Sequence, residues 1–262
     1  MADLAKLVFA ECAAYYKFRA PYAPAAFSSI QASFGLNHRS RVLDLGCGPG
    51  TVTVPLAQRV GSVVAVDPCV EMIEEGRKHA ESAGCSNIQW CCLKAEDVRQ
   101  DLGRFDVVTM GQSFHWMQRD RVLQRVAQLL EPGGGLVLIN PGRRRPQESW
   151  EPPVFDVVAR YVAANERHSC RSPELPHEPS LLRSAHFSLF TVTEYAIEFE
   201  RDIASICGYV YSLSTSPKSA FGARAAEFER ELAETLRKIT PSGVFKERVE
   251  TELIVAKKGA PG

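Results

Sequence analysis

The sequence carries no charge imbalance: Lys+Arg and Asp+Glu both number 31 in 262 residues. A neutral balance offers no electrostatic footprint for nucleic acid or an anionic membrane. There is no apolar run near the roughly 18 residues a membrane span needs. The first residues lack the charged-then-apolar pattern of a secretory signal, which predicts a cytoplasmic protein. The eight cysteines, Cys12, Cys47, Cys69, Cys85, Cys91, Cys92, Cys170 and Cys207, include no C-x-x-C pair. In a chain of this length without a signal they read as reduced, mostly buried thiols. His168, Cys170, His177 and His186 share a region, but their spacing matches no zinc finger and no metal is expected. Internal repeats and low-complexity segments are absent too. What is present is an ordinary globular composition, 45% hydrophobic and 24% charged, long enough for one large α/β domain.

The most informative stretch is Val42-Leu43-Asp44-Leu45-Gly46-Cys47-Gly48-Pro49-Gly50-Thr51. Its apolar start reads as a buried strand. Three glycines at alternate positions then permit positive φ and let a ligand approach bare backbone. Val52, Val54, Leu56, Ala57 and Val60 follow at helical spacing. Strand, glycine turn and helix form the first half of a βαβ nucleotide site. The dinucleotide fingerprint G-x-G-x-x-G seats a pyrophosphate on a helix N-terminus. Here the order is Asp44-x-Gly46-x-Gly48-x-Gly50, and a carboxylate ahead of the glycines repels a pyrophosphate and suits a ligand bearing an ammonium. A second apolar run, Ser62 to Val66, ends in Asp67, 21 residues past Gly46. An acid at the second strand's tip, at about that spacing, grips ribose hydroxyls.

On these residues the chain resembles the class I S-adenosylmethionine-dependent methyltransferases, whose first motif has this form. The resemblance implies that Asp44, Gly46, Cys47, Gly48 and Gly50 hold the amino-acid end of the cofactor, and Asp67 with Pro68 its ribose. Ala95 and Glu96, after a third strand at Asn87–Leu93, match an Ala-Glu version of the motif that reads the adenine edge. Gly111-Gln112-Ser113-Phe114-His115-Trp116-Met117 follows a fourth strand at Phe105–Met110. It resembles the branch that includes trans-aconitate methyltransferase-like enzymes and differs from the Pro-Pro-aromatic signature of enzymes acting on base amines. That counts against DNA as substrate. It implies Gln112 beside the cofactor and Phe114, His115 and Trp116 at the acceptor pocket, core packing being the alternative for Phe114 and Trp116. His115 is the candidate general base, a histidine bonding nearby backbone being the alternative. Tyr16, Arg19 and Tyr22 belong to a tyrosine–arginine–proline–tyrosine arm similar to that branch's, here Arg-Ala-Pro-Tyr. As a lid it would set Tyr16 and Arg19 on the cofactor's sulfonium and carboxylate and Tyr22 at the pocket; the alternative is plain packing on the sheet. Gly208 to Ser214 matches a Gly-Tyr-x-x-Ser-x-Ser run of the same branch, adding Tyr209 and Ser212 to the pocket, with plain packing the alternative for Tyr209.

Periodicity supplies the remaining elements. Leu4, Leu7, Val8 and Cys12 predict a first helix, which Pro21 and Pro24 break; Phe27, Ile30 and Phe34 predict a second. Helices are expected over 70–83 with Gly84 as C-cap, over 121–130, and over 154–164. Two more are expected, one from an Asp202 cap to Leu213 and one over 220–238. Leu136–Ile139, Phe187–Phe199 and Glu252–Ala256 complete the strands. The predicted fold is α/β, a three-layer Rossmann-like methyltransferase fold whose seven-stranded, mostly parallel sheet has an antiparallel edge strand and a helical cap. It is expected as one domain over 1–262: arm or lid 1–33, cofactor core 34–142, substrate-cap insertion 143–186, and C-terminal strands and helices 187–262. The function implied is methyl transfer from S-adenosylmethionine to a small molecule whose acceptor atom stays open, with no nucleic acid and no membrane. A cofactor-binding protein that does not methylate (a cyclase or regulator) and a nicotinamide-dependent oxidoreductase are the alternatives.

Overall fold

The computed structural model describes residues 2–141, 150–162, 184 and 186–259. The chain divides into two compact units. One, the sheet unit, comprises Tyr22–Gly142, Ser172–Tyr195 and Glu250–Gly262; the other, the helical unit, comprises Met1–Pro21, Arg143–Arg171 and Ala196–Val249.

The seven strands are β1 (Arg41–Leu45), β2 (Ser62–Asp67), β3 (Ile88–Cys92), β4 (Phe105–Gly111), β5 (Leu130–Pro141), β6 (Phe187–Asp202) and β7 (Val244–Lys258). They lie in the order β3-β2-β1-β4-β5-β7-β6. The first five are parallel, and β7 runs antiparallel to β5. The order reverses between β1 and β4. In open α/β sheets the ligand crevice lies outside the carboxyl ends of the strands at such a switch point.

The sheet unit also carries α2 (Pro24–Phe34), α3 (Thr53–Ala57), α4 (Val70–Ser82) and α5 (Arg119–Leu129), with α1 (Ala2–Cys12) belonging to the helical unit. Strand alternation sorts its core into two layers. Leu43, Leu45, Val64, Val66, Val108 and Met110 pack with Val122, Leu123 and Val126 of α5. Val42, Val63, Val107, Val137 and Ile139 pack with Phe27 and Ile30 of α2 and Leu56 of α3. Burial on both faces is what parallel strands require. Asp44 and Thr109 have the parity of Val42 and Val107 and are register partners, so a carboxylate and a hydroxyl meet inside the second layer.

The helical unit contains α1, α6 (Glu151–Tyr161), α7 (Ile203–Tyr211) and α8 (Ala225–Ile239). Val154, Val157 and Val158 of α6 pack with Ile206 and Val210 of α7 and Phe228, Leu232 and Leu236 of α8. Arg201 is buried there, ion-paired to Glu247 and surrounded by the rings of Trp150, Phe199 and Tyr209. Asp202 caps α7 as expected: its Oδ1 accepts from Ser205 N at 2.7 Å.

Several boundaries differ from the periodicity. Pro24 starts α2 at its first turn instead of only breaking α1, since a first-turn proline loses no helical hydrogen bond. The helix after the glycine turn covers only Thr53–Ala57. β5 begins at Leu130, which pairs with Phe105 before the register shifts to Val107–Gly135, so Glu131–Gly134 bulge out there. β6 and β7 run to 16 and 15 residues. The expected helix over 220–238 is broken at Gly222 (φ 51°, ψ −136°), so α8 starts at Ala225. The helix end at 163–164, and His168, Cys170 and His177, lie outside the described residues.

Candidate active site

The glycine turn leaves β1 with all three glycines at positive φ: Gly46 at 66°, Gly48 at 52° and Gly50 at 79°. Each is needed for a different reason. A Cβ on Gly46 would lie 2.4 Å from Ser113 Cβ, and one on Gly50 would lie 3.1 Å from the Trp90 ring. A Cβ on Gly48 would meet nothing within 4 Å. The turn is therefore packed at its two ends and open at its middle.

Hydrogen bonds fix it against β2. Gly46 N and Cys47 N both donate to Val66 O, at 2.8 and 3.0 Å. Gly48 N donates to Asp67 Oδ2 at 2.9 Å, and Cys69 N donates to Asp67 Oδ1 at 2.9 Å. A carboxylate accepts about four hydrogen bonds. Asp67 thus braces the turn with half its capacity and retains lone pairs. Burial raises its pKa, and the Cys69 and Gly48 N–H groups oppose that rise. Pro68 is exposed beside it. Cys47 is buried, its thiol held well above the usual range by burial first and the Asp44 and Asp67 charges second.

Asp44 lies at the end of β1, ahead of the glycine turn. It is 0% exposed, and its two oxygens accept from Thr53 Oγ1 at 2.6 Å and Thr109 Oγ1 at 2.8 Å. Burial pushes its pKa up to about 6 against those two bonds, with a smaller push from Asp67. It is a strap between β1, β4 and α3.

At the end of β4, Gln112 is the only non-glycine residue with positive φ among the described residues, at 50°. Its N donates to Ile139 O at 3.0 Å and its Nε2 to Tyr22 Oη at 3.3 Å. Ser113 Oγ donates to Leu45 O at 2.7 Å, joining β4 to the glycine turn. Phe114 is 2% exposed in the first core layer. His115 is half-buried, 5.2 Å from the Trp116 ring, and Trp116 is 36% exposed. Ala95 is buried in the same layer, and Glu96 Oε1 accepts from Gln118 N at 2.8 Å, where α5 begins.

Four predicted residues belong to the helical unit. The Arg19 guanidinium sits 4.0 Å over the Tyr16 ring and donates to Ser212 Oγ at 3.2 Å and Ser212 O at 2.7 Å. Ser212 is 0% exposed, and Tyr209 packs edge-on against Trp150 at 5.7 Å. The structure thus gathers Tyr16, Arg19 and Ser212, and separately gathers Gly46, Gly48, Gly50, Asp67, Gln112 and Tyr22. Sequence reasoning missed Thr53, Thr109, Ser113 and Trp90. Their roles depend on partners far along the chain, and no local motif signals them. No group of three potential metal ligands occurs among the described residues.

A methyltransferase domain model matches residues 42–134, the span from β1 to the start of β5 that holds the glycine turn, Asp67 and Gln112. The chain carries a class I S-adenosylmethionine-dependent methyltransferase domain. It is 31% identical over 130 residues to an uncharacterised methyltransferase of Schizosaccharomyces pombe, covering 49% of this chain and 50% of that protein. Over 120 residues it is 37% identical to the aklanonic acid methyltransferase DauC of Streptomyces sp., covering 44% of this chain and 54% of that protein. The chain thus spans about half the length of the curated relatives it matches. A structure described as a type II methyltransferase from Anaeromyxobacter dehalogenans superposes over 93% of this chain and 99% of that one, with TM-score 0.61 and 25% identity. S-adenosylmethionine is the cofactor of such a methyltransferase domain, and the residues fit it. The backbone at Gly48 is open, and Asp67 keeps acceptor capacity beside it.

Proposed function

We propose that the protein transfers the methyl group of S-adenosylmethionine to a small molecule. The observation that carries the reading is the open backbone at Gly48 held by the ribose-gripping candidate Asp67 at 2.9 Å. When bound, S-adenosylmethionine supplies a methyl group on a sulfonium, an electrophile that needs no activation by the protein. The chain's task is then to hold donor and acceptor in line and exclude water, and such positioning supplies much of a rate enhancement. Asp67 orients the ribose and the glycine turn the aminobutyrate. Ala95 and Glu96 are assigned to the adenine edge on the motif resemblance; the Ala95 side chain is buried, and the Glu96 carboxylate keeps acceptor capacity beyond its one bond from Gln118 N.

The similarity to an aklanonic acid methyltransferase and the neutral charge balance support a small-molecule acceptor over nucleic acid. His115 is the candidate base for a hydroxyl or carbon acceptor; its replacement by alanine with unaltered turnover rejects that role. The assignments of Tyr16 and Arg19 to the donor, and of Trp116, Tyr209 and Ser212 to the acceptor, rest on the motif resemblance. Incubation with methyl-labelled S-adenosylmethionine and a panel of small amines, alcohols, phenols and carboxylic acids tests the proposal. Label transferred to one of them supports it. Tight cofactor binding with no transfer to any supports the non-methylating alternative.

A further inference from the structure

An acid at the head of the glycine turn suits an ammonium only if the ammonium can touch it. Asp44 is sealed in the core with an oxygen committed to each of two threonine hydroxyls, so it offers the cofactor a field but no contact. Gln112 is the alternative. Its neighbour Ser113 hydrogen-bonds Leu45 O and stands against Gly46, while its other neighbour Gly111 stands against Val52 and Tyr22. Gln112 is therefore set between the glycine turn and Tyr22, half-buried, on a strained backbone at φ 50°. A non-glycine residue held in that conformation at the end of a central strand is a mark of a functional position.

Tyr22 also decides which way the Gln112 amide faces. Tyr22 Oη donates to Ile139 O at 3.5 Å, which leaves its lone pairs to accept from Gln112 Nε2 at 3.3 Å. The amide's NH2 end is thus held by Tyr22, and the carbonyl oxygen Oε1 is its other end. We propose that Gln112 Oε1 is the side-chain acceptor for the α-ammonium of S-adenosylmethionine, and that Tyr22 is the positioning residue that fixes the amide for it. This rests on the cofactor reading above, and it moves the ammonium contact from Asp44, on β1, to the end of β4.

Calorimetric titration of the full chain with S-adenosylhomocysteine and with 5′-methylthioadenosine, which lacks the aminobutyrate, separates the two ideas. Gln112→Gly keeps the backbone carbonyl and accepts the positive φ, so the melting temperature does not fall. It weakens S-adenosylhomocysteine about tenfold or more and leaves methylthioadenosine within about twofold. Gln112→Glu keeps an acceptor oxygen and holds S-adenosylhomocysteine within about threefold, whereas an amide that bound the cofactor carboxylate through its NH2 would lose it. Tyr22→Phe weakens S-adenosylhomocysteine by a smaller factor, about threefold, with methylthioadenosine unchanged. Equal loss for both ligands in Gln112→Gly, loss for neither, or a Gln112→Glu as weak as Gln112→Gly overturns the ammonium contact. A Tyr22→Phe that binds like wild type overturns the positioning role. A wild-type chain that binds neither ligand sinks the cofactor reading itself and this inference with it.

Discussion

Adding one methyl group to the middle of the glycine turn should separate folding from binding. In Gly48→Ala the new Cβ meets no atom within 4 Å, so the only folding cost is the left-handed backbone at φ 52°. That strain is about 1–2 kcal/mol, partly offset by the reduced freedom of the unfolded chain, which leaves roughly 1 kcal/mol. In Gly46→Ala the same strain is joined by a Cβ–Cβ approach of 2.4 Å to Ser113. Ser113 cannot swing away without breaking its 2.7 Å bond to Leu45 O. Overpacking of this kind costs about 1–3 kcal/mol, so the total is roughly 2–5 kcal/mol. At about 2–4 °C per kcal/mol for a chain of this size, Gly48→Ala should melt a few degrees low and Gly46→Ala at least twice as far below wild type. Calorimetry with S-adenosylhomocysteine should then find Gly48→Ala folded but binding about a hundredfold more weakly, because the methyl occupies the open face. A Gly48→Ala variant that melts slightly low yet binds normally would refute the placement of the cofactor on this turn.

Three further outcomes follow from the same geometry. Asp67→Ala should weaken S-adenosylhomocysteine by about 1.5–3 kcal/mol per lost ribose bond, read by titration; normal binding would remove the ribose assignment. Asp44 has its folded pKa raised from 3.8 to about 6, so the folded state holds a proton that the unfolded state has released. The stability contributed by that proton is fully present below the unfolded value and is lost as pH rises through the folded one. The rise corresponds to roughly 3 kcal/mol. Asp44→Asn should therefore gain melting temperature relative to wild type between pH 4 and pH 7, and a constant difference across that window would contradict the raised pKa. Asp202→Ala removes the α7 cap and should cost about 1 kcal/mol in denaturant unfolding; no loss would mean the Ser205 N–H finds another acceptor.

The cofactor half of the fold was legible because its signals are local. Buried strands, the Asp44-to-Gly50 spacing and an acid 21 residues past Gly46 all fall within one βαβ unit. The fine structure of the site was not, because it is set by register and long-range contact. Asp44 meets Thr109 only because β1 and β4 pair in one particular register, 65 residues apart. Tyr22 meets Gln112 across 90 residues. Trp90 packs so closely under the turn that a Cβ on Gly76 would lie 2.6 Å from its ring, a constraint that no periodicity carries. The grouping of residues 1–21 with 196–249 likewise depends on contacts such as Cys12 to Leu213, not on any composition shift. Asp202 is the converse case: a cap is local, and its position was readable from sequence.

The most direct measurement is a crystal structure of the chain with S-adenosylhomocysteine. The account predicts both ribose hydroxyls within about 3.2 Å of the Asp67 carboxylate, with the aminobutyrate lying over Gly48. Density for the ligand elsewhere in the molecule, or none at saturating concentration, would contradict it.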